Sequence, residues 1–266
     1  MRLLFATDGS RGAGVAEDFL LALPLAACDE VTVLTAPTVS ERESQALLAR
    51  CRWRFAARNV PTKTVVRTGD VAVAAEGVAL ERGAELIVLG SRGLGQLSGT
   101  LMGSVARGVA RGSLPVLVVR SRREAPRRVL LAIDGSADAR AAVDLLARFP
   151  LPMAARIELL EVRSGAADSL RVERLLAEAR ARLAGRLDRL ATIDRCHLGE
   201  AVLQRALTPS ADLIVLGAEG QTAGAGLMRV SIADHVLSHA HCAVLIGKAP
   251  TKPRLVDAVS FVPAAV

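Results

Sequence analysis

The chain repeats itself, and a repeat this long decides the fold problem before any motif does. "LLFATDGS" at 3–10 returns as "VLLAIDGS" at 129–136, and "AELIVLGSRG" at 84–93 returns as "ADLIVLGAEG" at 211–220. "LALPL" at 21–25 returns in "LARFPL" at 146–151, and "SLPVLVV" at 113–119 matches "HCAVLIG" at 241–247 less closely. Two copies of one domain account for all four matches. They divide the chain into a first domain at 1–120, a polar Pro-bearing linker at 121–127, a second domain at 128–248 and a tail at 249–266 without a counterpart.

Within each copy, short β-rich runs alternate with helix-period stretches. In the first copy strands are expected near 2–7, 30–35, 62–67, 85–89 and 115–120, with helices near 11–23, 40–58, 70–82 and 103–112. Ser40 followed by Glu43 reads as a capping box for the second helix. Such alternation with right-handed crossovers predicts an α/β protein: two tandem open parallel five-stranded sheets, each with helices on both faces. The core suits this, because hydrophobic residues make up 51% of the chain and aromatics only 2%, leaving Leu, Val, Ile and Ala to fill it.

Composition also narrows the function classes. The net charge of +7 invites a nucleic-acid reading, but the arginines are mixed with acids along helices and no aromatics stand beside them to stack on bases. No nucleic-acid partner is expected. No apolar run reaches the roughly 18–20 residues that span a bilayer, and Asp8 interrupts the opening "LLFA" too early for a signal-peptide core. The chain therefore reads as cytoplasmic, with no membrane partner. Cys28, Cys51, Cys196 and Cys242 form no C-x-x-C pair and read as structural thiols.

In an open parallel sheet, ligands sit beyond the carboxyl ends of the strands. "GSRGLGQLSGTLMGS" at 90–104 lies at such an end. Gly90 is expected to begin the turn and Gly93 to lie within it, where glycine permits unusual dihedrals and close ligand approach. Gly103 and Ser104 open a helix whose first amides lack intrahelical partners, a place that suits a phosphate group. Arg92 and Arg107 add positive charge. A plain connecting loop stays open as the alternative, because neither the P-loop pattern nor G-x-G-x-x-G is present.

The spacing of Gly90, Gly93, Gly103 and Ser104 resembles the ATP-binding signature of the universal stress protein family. "ATDGS" after the first strand, "TGD" at 68–70 and "AELIVLGSRG" resemble that family too, over nearly the whole chain and twice. The resemblance implies strand order 3-2-1-4-5 and a domain that either binds ATP or serves only to dimerise. It implies Thr7 and Asp8 near the adenosine, Ala36 offering backbone to adenine, and Leu89 and Gly90 bordering the ribose and phosphates. Gly93, Gly103, Ser104 and Val105 would wrap the phosphates, and Asp8 could position magnesium. Asp8 could equally be the acid that caps the following helix.

The second copy departs from this pattern. Gly217, Gly220 and Ser231 match Gly90, Gly93 and Ser104, but Val230 replaces Gly103, Ile133 replaces Thr7, and Glu219 and Asp234 replace Arg92 and Arg107. At about 6 Å and an effective dielectric of about 20, each like-charge contact with a polyanion costs on the order of 2–3 kcal/mol before screening. Arg229, at the position of Met102, restores some charge. ATP binding is thus expected in the first copy and a structural role in the second. The runs "PVLVV" and "AVLIG" are expected to pair edge to edge as an intramolecular pseudo-dimer, with a homo-oligomer and an unidentified protein partner as further options. A stress-response sensor or binding module is the leading function; a ligand-free scaffold and a slow ATP-hydrolysing enzyme are the alternatives. No catalytic triad can be assembled, and His235 and His239, four apart, lack a clear third metal ligand.

Overall fold

A computed structural model describes residues 1–26, 29–36, 40–93, 102–120, 124–163, 169–194, 198–208, 210–219 and 232–250. The first half runs β1 (Arg2–Ala6), α1 (Arg11–Ala22), β2 (Glu30–Thr35), α2 (Glu41–Ala56), β3 (Thr62–Val66), α3 (Val71–Arg82), β4 (Leu86–Gly90), α4 (Ser104–Arg111) and β5 (Val116–Val119). The second half repeats the order as β6 (Arg128–Ile133), α5 (Ala137–Arg148), β7 (Arg156–Arg163), α6 (Ser169–Arg182), β8 (Leu187–Asp194), α7 (Leu198–Leu207), β9 (Leu213–Gly217), α8 (Ile232–His239) and β10 (Ala243–Gly247).

The two five-stranded units are not separate sheets. They join in one sheet of ten strands, ordered β3-β2-β1-β4-β5-β10-β9-β6-β7-β8, so each half has the order 3-2-1-4-5. Every pairing within a half is parallel, and the one pairing between halves, β5 with β10, is antiparallel. Its register places Leu117 opposite Leu245, with Val118 against Val244 and Val116 against Ile246 on either side. This is a local two-fold arrangement in which each half supplies the same edge. It removes the two bare sheet edges that these apolar runs would otherwise present to solvent.

Alternate strand residues point to opposite faces. Leu3, Phe5, Val31 and Val33 enter one buried cluster with residues of α1, α2, α5 and α6. Leu4, Ala6, Ile87 and Leu89 enter the other with α3, α4, α7 and α8. Both clusters run through both halves, so the core does not break at the repeat boundary.

The helices begin where side-chain caps are available. Ser10 caps α1, Ser40 caps α2 and Asp70 caps α3, each accepting from amides of the first turn. Ser40 also donates its hydroxyl to the Glu43 carboxylate, so the box closes between side chains. Gly103, the N-cap of α4, has no side chain with which to do this.

Candidate functional site

The eleven residues singled out in the sequence come together. Thr7, Asp8, Ala36, Leu89, Gly90, Arg92, Gly93, Gly103, Ser104, Val105 and Arg107 all line one cleft of about 500 Å³ at the carboxyl ends of β1, β2 and β4. That size lies within the range of small-molecule sites, roughly 300–1,000 Å³. Small side chains, Ala6, Ala13 and Ala36, leave room at one side, and Arg92 and Arg107 stand exposed at the rim.

Strand β1 ends on a tight turn that fixes the acid. Thr7 is buried, with its amide on the Leu34 carbonyl at 2.9 Å, and its hydroxyl accepts from the Gly9 amide at 3.2 Å. Gly9 takes a left-handed φ of 73°. Asp8 Oδ1 accepts from the Ser10 amide at 2.9 Å. The helix cap is Ser10, which accepts from the Ala13 amide, so the capping role open to Asp8 belongs instead to the residue two further on. The Asp8 side chain is left lining the cleft.

Two expectations about glycine need correction. Gly90 is the last residue of β4 and does not begin a turn, and neither Gly90 nor Gly93 has a left-handed backbone. Gly90 is glycine for closeness: a Cβ there would stand 2.5 Å from the backbone of Gly12, whereas one on Gly93 would meet only the end of the Asp8 side chain, at 2.5 Å from Oδ2. Gly12 is equally tight, since a Cβ there would run into the Arg92 carbonyl oxygen. The head of α1 therefore rests directly on the end of β4, where Ser10 Oγ donates to the same carbonyl at 3.3 Å.

Sequence reasoning missed Ser91, which is buried and clamps the glycine-rich loop at its base. Its amide donates to the Val119 carbonyl at 2.8 Å, and its carbonyl accepts from the Gly103 amide at 2.8 Å. The Gly103 amide is thereby engaged, and the first-turn amides of Ser104, Val105 and Ala106 are those without intrahelical partners. Residues 94–101 of the loop lie outside the described residues. Val71, Met102 and Ala106 also line the cleft without having been singled out, although Val71 directly follows the "TGD" segment.

The corresponding cleft of the second half is nearly closed, at about 30 Å³. Ile133, Val162 and Ile232 line it where the first half has Thr7, Ala36 and Val105, so added methyl and methylene groups fill the space. Asp138 stands at the position of Gly12, and its carboxylate accepts from the Glu219 amide at 2.9 Å and the Ala249 amide at 2.8 Å. Gly220, Arg229, Val230 and Ser231 lie outside the described residues.

Outside the first-half cleft, the described cysteines and histidines gather no reactive group. Burial pushes the Cys51 and Cys242 thiols up to about 12, which leaves them protonated and unreactive; Cys28 and Cys196 lie outside the described residues. The His235 ring stacks on that of His239 at 4.4 Å, and its Nε2 lies 3.6 Å from the Glu200 carboxylate. Among the described residues no group of three or more metal-ligating side chains gathers. No described helix is long and apolar enough to cross a membrane.

Comparison with known proteins agrees with the fold. The universal stress protein family matches residues 1–120 and again residues 126–248. Universal stress protein YxiE of Bacillus subtilis (strain 168) is 33% identical over 81 residues, which span 30% of this chain and 55% of that protein. A universal stress protein from Archaeoglobus fulgidus superposes with a TM-score of 0.72 at 19% identity, over 93% of this chain and 98% of that one. A protein of unknown function from Pseudomonas aeruginosa PAO1 superposes with a TM-score of 0.66 at 14% identity, over 94% and 92% of the two chains. The chain belongs to the universal stress protein family, in its tandem form.

Proposed function

We propose that the first half binds ATP and that the protein acts as a stress-response sensor or binding module, with the second half serving as its structural partner. One observation carries this reading. Of the four helices in the first half, α4 is the one whose N-cap offers no side chain, and its first turn opens into the 500 Å³ cleft. Amides without partners and the positive end of the helix dipole favour an anion there. Arg92 and Arg107 at the rim add charge of the right sign for a triphosphate, and the alanine-lined side leaves room for a flat base. The exposed position of Ser104 suits a hydroxyl donating to a phosphate oxygen.

The Asp8 carboxylate suits a magnesium ion accompanying the triphosphate, since it lines the same cleft and oxygen is the donor that ion takes. The ion would offset phosphate charge. The nearly closed second cleft supports the structural role given to that half.

Isothermal titration of the full chain tests the assignment, with one ATP per chain expected. Two equivalent sites, or none, would reject it. Identifying nucleotide released on denaturing the purified protein separates the alternatives: ATP fits the sensor, ADP alone points to hydrolysis, and an empty protein leaves the scaffold.

A further inference from the structure

We propose that the second half carries an anion site of its own, a recess between α5 and α6 that takes the phosphoryl group of a small molecule. The recess holds about 500 Å³ and is lined by Gly135, Ser136, Ala137, Arg140, Arg171 and Arg174. It shares only Ser136 with the closed cleft described above.

Three arginines from two helices line it. Arg140 comes from the first turns of α5 and is held at 2.9 Å by Glu178 of α6. Arg171 and Arg174 stand three apart on the exposed face of α6, and neither has an acidic partner among the described residues. Like charges at that spacing repel, so the pair is uncompensated until an anion sits between them. Guanidinium forks match the oxygens of a phosphoryl group, and a dianion answers the excess of three cations over one carboxylate. Ser136 Oγ accepts from the Ala139 amide at 3.1 Å, which leaves its O–H to donate into the recess.

The feature is particular to the second half. At the matching turn of the first half, Leu47 packs within 3.4 Å of where a Cβ on Gly9 would stand, so apolar carbon occupies the spot. There α2 also opens with Glu41 and Glu43. Apolar filling and negative charge have thus been replaced by open space and arginine. The site does not depend on the nucleotide reading of the first half.

The test is local. Side-chain Nε–Hε resonances of Arg171 and Arg174 are followed in the full chain while inorganic pyrophosphate is titrated at low salt, with Arg171→Gln and Arg174→Gln giving the assignments. Saturable shifts at both arginines in the millimolar range or tighter are expected, and they should persist in Gly103→Val. The double variant, read at the Nε–Hε resonance of Arg140, which also lines the recess, should bind pyrophosphate roughly tenfold or more weakly. Absence of saturable shifts at these two side chains, or their disappearance in Gly103→Val, would overturn the proposal. So would a single-stranded oligonucleotide that saturates the same resonances at far lower concentration than pyrophosphate does, since the ligand would then be a polymer.

Discussion

The two halves share a strand order, a helix order and the tight contact between the fourth strand and the first helix, yet one cleft holds about 500 Å³ and the other about 30 Å³. Backbone packing has been kept while side chains have changed. A Cβ on Gly217 would meet the backbone of Asp138 and Ala139 at 2.6–2.7 Å, much as one on Gly90 would meet Gly12 and Ala13. Fold and cleft therefore draw on different residues: glycines at the strand end hold the architecture, whereas the cleft narrows where Thr7, Ala36 and Val105 give way to Ile133, Val162 and Ile232.

Breaking the shared part should have the largest effect. Gly90→Val drives a branched side chain into the Gly12 backbone, 2.5 Å away, with no flexible group to yield. A loss of about 3 kcal/mol or more is expected in urea unfolding. A smaller loss would mean that α1 can slide off β4.

Gly103→Val should instead separate function from fold. The backbone there has φ −71° and ψ 157°, which any residue adopts, and its amide bond to Ser91 survives. Stability should change by about 1 kcal/mol or less, whereas ATP affinity should fall about a hundredfold as two charge-assisted amide contacts are lost. Unchanged affinity in titration calorimetry would place the ligand away from α4.

Lys248 probes the junction between the halves. It leaves the end of β10 to donate to the Gly112 carbonyl, just past α4, and burial pushes its ammonium down to about 8 despite the opposing pull of Glu76 and Asp138. Because the folded form loses its proton first, the unfolded chain holds more protons between about pH 8 and 10.5, and stability from this group rises with pH through that window. Below it, the buried cation opposes folding in full. The wild type should gain on the order of 2 kcal/mol over Lys248→Met between these limits. The comparison cancels the buried thiols, whose raised values act in the opposite direction above about pH 9. A constant difference across the window would show that Lys248 titrates normally.

The smallest effect belongs to rim charge. Arg107→Asp copies the second half, and its exposure limits the cost to about 1 kcal/mol, a five- to tenfold weaker ATP affinity that shrinks with added salt. A salt-independent loss would mean that Arg107 acts by packing.

Much of this was legible in the chain. The first-half elements fall within a residue or two of the boundaries set by periodicity and capping, because helix and strand periods and Ser, Asp and Gly at the ends are local properties. That these residues would line one cleft was legible partly because the glycine-rich segment follows a buried strand, and partly through the family resemblance, which supplied Thr7, Asp8, Ala36 and Val105. The meaning of individual glycines was not. Gly90 and Gly12 touch across 78 positions of chain, and nothing local distinguishes a glycine needed for such contact from one needed for a turn. Ser91 was hidden for the same reason, since its backbone partners Val119 and Gly103 meet it only in the folded sheet.

The sequence by itself determined a duplicated α/β domain, the strand ends at which a ligand would sit, and the loss of glycine and positive charge in the second copy. The edge-to-edge joining of the copies was expected from the runs "PVLVV" and "AVLIG"; only the tertiary structure decided its antiparallel direction and its register about Leu117 and Leu245, and that the second cleft has closed. Periodicity is written along the chain, whereas strand register and cavity volume depend on atoms that are distant in sequence and meet only when the core is packed.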